Sequence, residues 1–549
     1  MTATPVFTPS KYQQAAFDWL RDGRGSAVVK AVAGSGKTTW SVRALPYLPA
    51  GASVAMLAFN TDAAKTLRTK IEELEKETGR KFPNVSAKTF HSLGFGAVRK
   101  YLESRGYRDL KPDTHKLADL CREWLGDEDN DLYGAFICRL VGLARGEGIG
   151  AIAPDLPEAW YELIRFHDLF LDAEDATEER AVELARELLR RSDEAARRGI
   201  IDFDDMLYCV LRWRLRLWQN DVVFCDEAQD TNPVRRALLK LALKPGGRLI
   251  AVGDPCQSIY LFTGASHDAI ERIRADFNAR ELPLTISYRC CRAVGALAKT
   301  LVPYFEVHDK APEGEVERLP LVDAVKVLGP HDAILCRNTA PLILTAYQLI
   351  AQGVGCTVLG REIGAGLVNL IKQQKAKGVD NLLKKLVAYR DREVAKWTAK
   401  GEDAKAEAVA DRVECITVII DRQPETERTV PAVVARIEGM FSDTNGVLTL
   451  CTAHKAKGRE WERVAILRPE LMPSRWARTE QAQTQERNLQ YVAWTRAMRH
   501  LIFLDESVEP KKPLDESVEP KKPLDETATD AVGAKPAESV EPQRKETTP

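Results

Sequence analysis

The stretch Ser26–Trp40 reads SAVVKAVAGSGKTTW, and its chemistry is anion binding. Glycines at 34 and 36 permit a tight turn whose successive backbone N–H groups, with the N-terminus of the following helix, cradle phosphate oxygens. Lys37 is placed to reach the β- and γ-phosphates of a nucleotide, and the Thr38 hydroxyl to ligate Mg²⁺. Ala33, Gly34, Ser35, Gly36, Lys37, Thr38 and Thr39 are therefore the candidate nucleotide contacts. Ala31 stands where the strict pattern has its first glycine.

A phosphate loop needs carboxylates opposite it. Asp221–Gln229, DVVFCDEAQ, supplies them at the end of an apolar run. Asp226 would hold Mg²⁺ through water, and Glu227 would polarise the attacking water. After RLIAVGD at Arg248–Asp254, Gln257 is an amide at a strand end, suited to touch a γ-phosphate and report its loss; a structural turn is the competing account. Gln13 can both donate to and accept from an adenine edge, although a glutamine on a solvated helix face is commonplace. His91, in SAKTFHSL, lies at a polar strand-to-helix junction and could equally be a structural histidine at a cap.

These groups need strands to carry them. Ala27–Val29, Val54–Phe59, Ser86–Leu93, Asp221–Gln229 and Arg248–Asp254 read as strands running into polar ends, which is where open α/β sheets bind ligands. Phe7–Leu20 reads as a turn and a short helix, and Thr61 or Asp62 as the cap of a helix from about Ala63 to Glu77. From Gly94 to about Ile200 helical patterns replace strands, notably at Thr177–Arg191, as in an insertion within an α/β domain. A second α/β region opens at Leu284–Arg289, with strands at Ala333–Cys336, Cys356–Leu359, Leu448–Cys451 and Val464–Leu467. Leu370–Met440 interrupts it with charged helical sequence and one strand-like apolar run, Val413–Ile420.

At 549 residues the chain has length for three or four domains. With 79 basic against 80 acidic residues, bulk charge does not announce a nucleic-acid binder, and any such surface must be a local track. The last 45 residues hide part of the balance. They hold 12 acidic and 7 basic residues, a net of -5, which leaves +4 for the rest of a chain of net charge -1. LDESVEPKKP occurs twice in tandem there, at Leu504–Pro513 and Leu514–Pro523; its proline, charge and few apolar groups predict a disordered tail that could bind a protein partner. The 11 cysteines form no Cys-x-x-Cys pair, as expected of free thiols in a reducing compartment. No stretch approaches 18 apolar residues, and the N-terminus lacks a basic segment followed by an apolar one. A cytoplasmic protein is expected, in a bacterium or in a host cell if virus-encoded, neither secreted nor membrane-spanning.

Taken in order, the polar junctions resemble the motif series of the UvrD/Rep/PcrA-like superfamily 1A DNA helicases. The matching stretches are Gln13, AVAGSGKTT at Ala31–Thr39, LAFNTDAA at Leu57–Ala64 and TFHSL at Thr89–Leu93. IDFDDML at Ile201–Leu207, DEAQD at Asp226–Asp230, VGDPCQSIYLFTGA at Val252–Ala265 and SYR at Ser287–Arg289 follow. TAHKAKGREW at Thr452–Trp461 and YVAWTRA at Tyr491–Ala497 complete the series. The resemblance implies two RecA-like parallel-sheet motor domains with ATP and Mg²⁺ between them, a helical insertion in the first and a small mixed insertion in the second. It divides the chain into motor domain 1 at 1–93 and 199–283 with its insertion at 94–198. Motor domain 2 falls at 284–368 and 446–504, its insertion at 369–445 and the tail at 505–549.

The resemblance further implies ATP-driven 3'→5' movement on single-stranded DNA, unwinding at single/double-strand junctions, and a monomeric core. Arg289 and Arg496 look like the arginines that reach the γ-phosphate from the second domain, where a permanently charged, forked guanidinium can sense closure. Tyr288 resembles the residue that stacks on adenine, and Glu460 the acidic residue near the ribose. Phe59 and Phe262 resemble the aromatics that stack on bases, while Thr89, His91, Thr452 and His454 resemble residues lining the phosphate track. Departures are Val32 for the usual loop glycine, Thr263 for an arginine, Trp461 for a phenylalanine, and only 163 positions from Arg289 to Thr452. The second insertion is thus much reduced, and its family roles do not carry over. A DNA-stimulated translocase with weak unwinding is the alternative. A non-enzymatic relic of the fold is opposed by the intact Lys37, Asp226, Glu227, Gln257 and Arg496.

Overall fold

The computed structural model describes residues 7–505 except 168, 170, 172–175, 260–267, 353, 400–402, 426–427, 441–447 and 478. Phe262 and Thr263 lie outside the described residues, as does the tail from residue 506 on.

The β-branched runs of the first half become β1 (Ala27–Ala31), β2 (Val54–Ala58), β3 (Val85–Thr89), β4 (Asn220–Cys225), β5 (Leu243–Gly253) and β6 (Arg280–Leu284). They form one sheet in the order β3-β2-β4-β5-β1-β6, every adjacent pair parallel. Helices cover both faces, so β2 is buried at all five positions and reads as a continuous apolar run rather than an alternating one. The order reverses around β1, with β5 on one side and β6 on the other, and the phosphate loop leaves the C-terminal end of that strand. The neighbouring ends deliver Phe59 from β2, Thr89 and His91 from β3, Asp226 and Glu227 from β4, and Asp254 to Gln257 from β5.

The second lobe repeats the architecture. A two-stranded parallel pair, β7 (Ile286–Ser287) and β8 (Glu306–Val307), leads into it. Its sheet comprises β9 (Glu315–Leu319), β10 (Ala333–Cys336), β11 (Cys356–Val358), β12 (Leu448–Thr452), β13 (Trp461–Ile466) and β14 (Ala497–Leu504). The order is β11-β12-β10-β13-β14-β9, again parallel throughout. This is a mixed α/β protein of two parallel-sheet lobes, as expected of RecA-like motor domains.

Helices Phe90–Glu103, Lys116–Asp129, Ala135–Glu147, Pro157–Phe166 and Glu178–Arg197 build the first insertion. The first of them follows β3 directly, with Thr89 as its N-cap accepting from Ser92 N at 3.0 Å. Lys116 and Arg145 are buried and grip the segment that returns to the sheet. Lys116 Nζ donates to Asp205 Oδ2 at 2.5 Å, and Arg145 pairs with Asp202 at 2.9 Å, Asp205 at 3.0 Å and Asp204 at 3.3 Å. Two buried cations against three carboxylates are tolerable because each finds several partners; a lone buried charge is not.

Two local expectations need correction. Asn60, rather than Thr61 or Asp62, caps the helix Thr61–Thr78, its side chain accepting from Ala63 N at 2.8 Å while Thr61 and Asp62 form the first turn. Val413–Ile420 is not a strand but lies in the helix Asp403–Asp421. Buried Val409, Val413, Ile416 and Ile420 recur at the three- and four-residue spacing of one helix face. The β-branched run suggested a strand, but helical context on both sides decided it.

Candidate functional site

The loop after β1 turns at Gly34 and Gly36, both left-handed at φ 73° and 77°. Gly34 also has no room for a side chain: a Cβ there would come within 2.5 Å of Arg289 Cβ and 2.7 Å of Ser287 Oγ. The second lobe thus seats directly on the phosphate loop. Tyr288 N donates to Gly34 O at 2.8 Å, and Ala33 N donates to the Tyr491 hydroxyl at 2.7 Å. Within the loop the buried Ser35 hydroxyl finds no partner among the described residues, while Thr39 Oγ1 accepts from Lys70 Nζ at 3.3 Å.

Lys37 and Thr38 begin the helix that follows and face the end of β4. Lys37 Nζ lies 3.1 Å from Glu227 Oε2, and Thr38 Oγ1 donates to Asp226 Oδ2 at 3.4 Å. Glu227 itself sits in the left-handed region, φ 49°, a backbone strain placed at the catalytic candidate. Burial works against ionising Glu227, but Lys37 and Lys457 outweigh it and hold the carboxyl down at about 2. Asp226 goes the other way. Burial first, then the neighbouring Glu227 charge, push it up to about 6, against the pull of Lys37. The hydroxyl and carboxylate oxygens of Thr38 and Asp226 are the hard donors that Mg²⁺ takes, and the open partner capacity of Ser35 fits a phosphate-bearing ligand.

Gln257 Nε2 donates to Asp254 Oδ2 at 2.7 Å, and Asp254 also accepts from the Tyr491 hydroxyl at 3.2 Å. Tyr288 and Gln13, read from separate motifs, meet: the tyrosine hydroxyl donates to Gln13 Oε1 at 3.3 Å. Gln13 additionally closes a capping box with Ser10 and donates to Ser35 O at 3.3 Å, so it braces the loop as well as flanking the tyrosine. Arg289 Nε pairs with Glu460 Oε2 at 2.5 Å, which joins these two expected nucleotide contacts to each other. Arg496 is fully buried and has no carboxylate partner among the described residues; it donates to Val492 O, Arg459 O and Thr495 Oγ1. Burial and then the charge of Arg289 lower it to about 9, so both arginines crowd one place.

On the other side of the strand ends, Phe59 is half-buried beneath the Arg235 guanidinium, 4.4 Å from its ring centroid. His91 meets Phe203 edge-on at 6.2 Å. Phe203 is half exposed, a third aromatic near this surface. Burial followed by Arg235 lowers the His91 pKa, and burial with Arg337 lowers His454 to about 3. Both imidazoles are neutral near pH 7. Thr452 closes β12, and its hydroxyl accepts from Lys455 N at 3.4 Å.

Sequence reasoning passed over Lys457, Tyr491, Asp254, Arg235 and Phe203. Lys457, in the second lobe, places Nζ at 2.8 Å from Asp230 Oδ2 and 2.8 Å from Gln257 O in the first. Its motif TAHKAKGREW was noted, but nothing local distinguishes Lys457 from Lys455. Tyr491 lies on a buried helix face where leucine would have served for packing, and its hydroxyl was the available signal.

Residues 11–278 match the UvrD/REP helicase N-terminal domain, and residues 163–506 match the UvrD-like helicase C-terminal domain. Among curated relatives, the chain is 26% identical over 344 residues to the probable DNA helicase II homolog of Mycoplasma pneumoniae, covering 57% of this chain and 46% of that protein. It is 24% identical over 459 residues to F-box DNA helicase 1 of Gallus gallus, covering 81% and 43%. It is 25% identical over 298 residues to ATP-dependent DNA helicase Rep of Escherichia coli, covering 51% and 41%. The matched region therefore spans under half the length of each of these relatives. With two parallel-sheet lobes meeting on a phosphate loop and a family match over most of its length, the chain belongs to the UvrD-like DNA helicase family.

Proposed function

We propose that this protein is an ATP-dependent DNA helicase that moves 3'→5' along single-stranded DNA and separates strands at a junction, in replication, repair or recombination. The observation that carries the reading is the assembly of one site from both lobes: Arg289, Tyr491 and Lys457 of the second reach Gly34, Ala33 and Asp230 of the first. A nucleotide bound there touches both lobes, so its hydrolysis changes how they fit together. Residues 1–93 and 199–283 are the first motor domain and 284–368 with 446–504 the second, each carrying its insertion.

In this reading the backbone of Ala33–Gly36 and the Lys37 amino group hold the phosphates, with Gln13 and Tyr288 at the base and Glu460 near the ribose. Thr38 and Asp226, the latter through water, hold Mg²⁺, which supplies charge neutralisation at the phosphates when bound. Glu227 then orients water and accepts its proton, while Arg289 and Arg496 stabilise charge at the γ-phosphate and Gln257 registers its loss. For Arg289 this requires exchange of Glu460 for phosphate. Phe59 stacks on bases once Arg235 yields its face, while Thr89, His91, Thr452 and His454 line the backbone track.

The test is strand displacement on duplexes with 3' or 5' single-stranded tails, with ATP and Mg²⁺. Displacement from the 3' tail alone supports the proposal, and displacement from the 5' tail alone overturns the polarity. The reduced second insertion favours a second reading, a translocase that unwinds weakly without a partner. DNA-stimulated ATP turnover with movement but little displacement selects it.

A further inference from the structure

Cys121 and Cys138 lie on consecutive helices of the first insertion, Lys116–Asp129 and Ala135–Glu147, with their sulfurs 3.3 Å apart. A disulfide needs about 2.05 Å between sulfurs on side chains that already face each other. Cys121 is fully buried and Cys138 half-buried, so the pair has one sulfur within reach of a small solute and one behind it. We propose that Cys121 and Cys138 are a reversible oxidation site at which a peroxide joins the two helices by a disulfide.

The chemistry balances with a peroxide as sole oxidant. The Cys138 thiolate attacks one oxygen of hydrogen peroxide, the O–O bond breaks, and the departing hydroxide takes a proton to become water. The Cys121 sulfur then attacks Cys138 Sγ, an S–S bond forms, and hydroxide leaves with the Cys121 proton as a second water. Two thiols are oxidised and one peroxide reduced. The roles divide by exposure: half-buried Cys138 meets the peroxide, and fully buried Cys121 stands behind it. Either thiol can donate to the other across 3.3 Å, and the charge of nearby Arg145 favours the Cys138 thiolate while burial opposes it.

The two helices are not neutral spacers. One carries Lys116 and the other Arg145, and both cations close on Asp205 beside Asp202 and Asp204. A covalent tie between the helices therefore secures both cations of the buried network that attaches the insertion to the first motor lobe. Cross-linking also shortens the loop available to the unfolded chain, which raises the melting temperature when native geometry accepts the bond.

The experiment treats the full chain with graded hydrogen peroxide, blocks remaining thiols with iodoacetamide, and maps peptides without reduction. The expected result is a Cys121–Cys138 cross-linked peptide with an intact mass lower by two hydrogens. It forms about tenfold faster than oxidation at half-buried Cys256 or Cys356, raises the melting temperature and is reversed by dithiothreitol. In Cys121→Ser, Cys138 should stop at the sulfenic acid and be trapped by dimedone; in Cys138→Ser, Cys121 should stay reduced. Oxidation of Cys256 or Cys356 while Cys121 and Cys138 remain thiols overturns the proposal, as does a cross-link that lowers the melting temperature.

Discussion

With its amino group 3.1 Å from Glu227, Lys37 shares its charge with the carboxylate proposed to orient water. The two substitutions that probe this pair should therefore separate. Lys37→Ala removes the fixed cation for the phosphates, and turnover should fall to background. Glu227→Gln keeps the shape and the phosphate contacts, so fluorescent-ATP binding should stay within a few-fold of the parent while hydrolysis stops; turnover at the parent rate would reassign the base. A second residue-scale prediction concerns His454, which burial and Arg337 keep at about 3, below the ordinary histidine range. A depressed folded-state pKa means that unfolding takes up a proton as pH falls from about 6.5 toward 3, so this share of stability is intact above that window and lost within it. His454→Gln should flatten the fall of melting temperature between roughly pH 6.5 and 4, and an unchanged profile would show that other groups drive it. The phosphate loop and the Asp226–Glu227 pair each stood out as a compact run of neighbours at a strand end, although the two runs meet across 190 positions. Lys457 and Tyr491 did not, because their partners are 200 or more positions away.

At the scale of elements, the strands announced themselves through buried β-branched runs, and the helix Asp403–Asp421 shows the limit of that signal. Val413–Ile420 has strand composition, yet the helical periodicity of its buried residues extends back to Val409. The strand β14 escaped notice, although Leu501 and Ile502 are fully buried, because His500 and Arg499 precede them and break the apolar run. The insertion was legible as helical, but not its attachment: nothing in the sequence spacing brings Lys116 and Arg145 together on Asp205. This attachment has a testable cost. Arg145→Met removes the cation that pairs with buried Asp202 and Asp205 and with exposed Asp204, and leaving Lys116 alone against the two buried carboxylates should destabilise the protein by about 3–5 kcal/mol. Urea denaturation followed by far-ultraviolet circular dichroism measures it. A loss below about 1 kcal/mol would mean that Asp202 and Asp204 turn to solvent and that the network is not what attaches the insertion.

On the scale of the whole molecule, several of the contacts that join the lobes are chemically specific. Gln485 donates to Ile259 O at 3.0 Å and Asn488 to Ser258 O at 3.0 Å, so the helix Glu480–Trp494 holds the turn that follows Gln257. Tyr491 on the same helix joins Asp254 to the phosphate loop. Lys457 adds a cation that crosses from the second lobe to Asp230, with side chains only 8% and 4% exposed. Burial raises the Asp230 pKa and Lys457 opposes the rise, so without the lysine the aspartate would be driven toward its protonated form beside Glu227. Lys457→Met keeps most of the apolar stem and removes the ammonium group with its hydrogen bonds to Asp230 and Gln257 O. Each lobe has its own sheet and core, and far-ultraviolet circular dichroism should stay at the parent spectrum. Basal ATP turnover should fall by a few-fold, since Glu227 loses a supporting cation. Stimulation by single-stranded DNA should fall much further, by about tenfold or more, because a buried charge pair whose loss costs a few kcal/mol no longer favours the joined arrangement. The measurement is steady-state ATP turnover with and without single-stranded DNA, beside a DNA-binding isotherm. Equal losses with and without DNA would place Lys457 in the chemistry alone, whereas a selective loss of stimulation at unchanged DNA affinity makes it the link between the lobes.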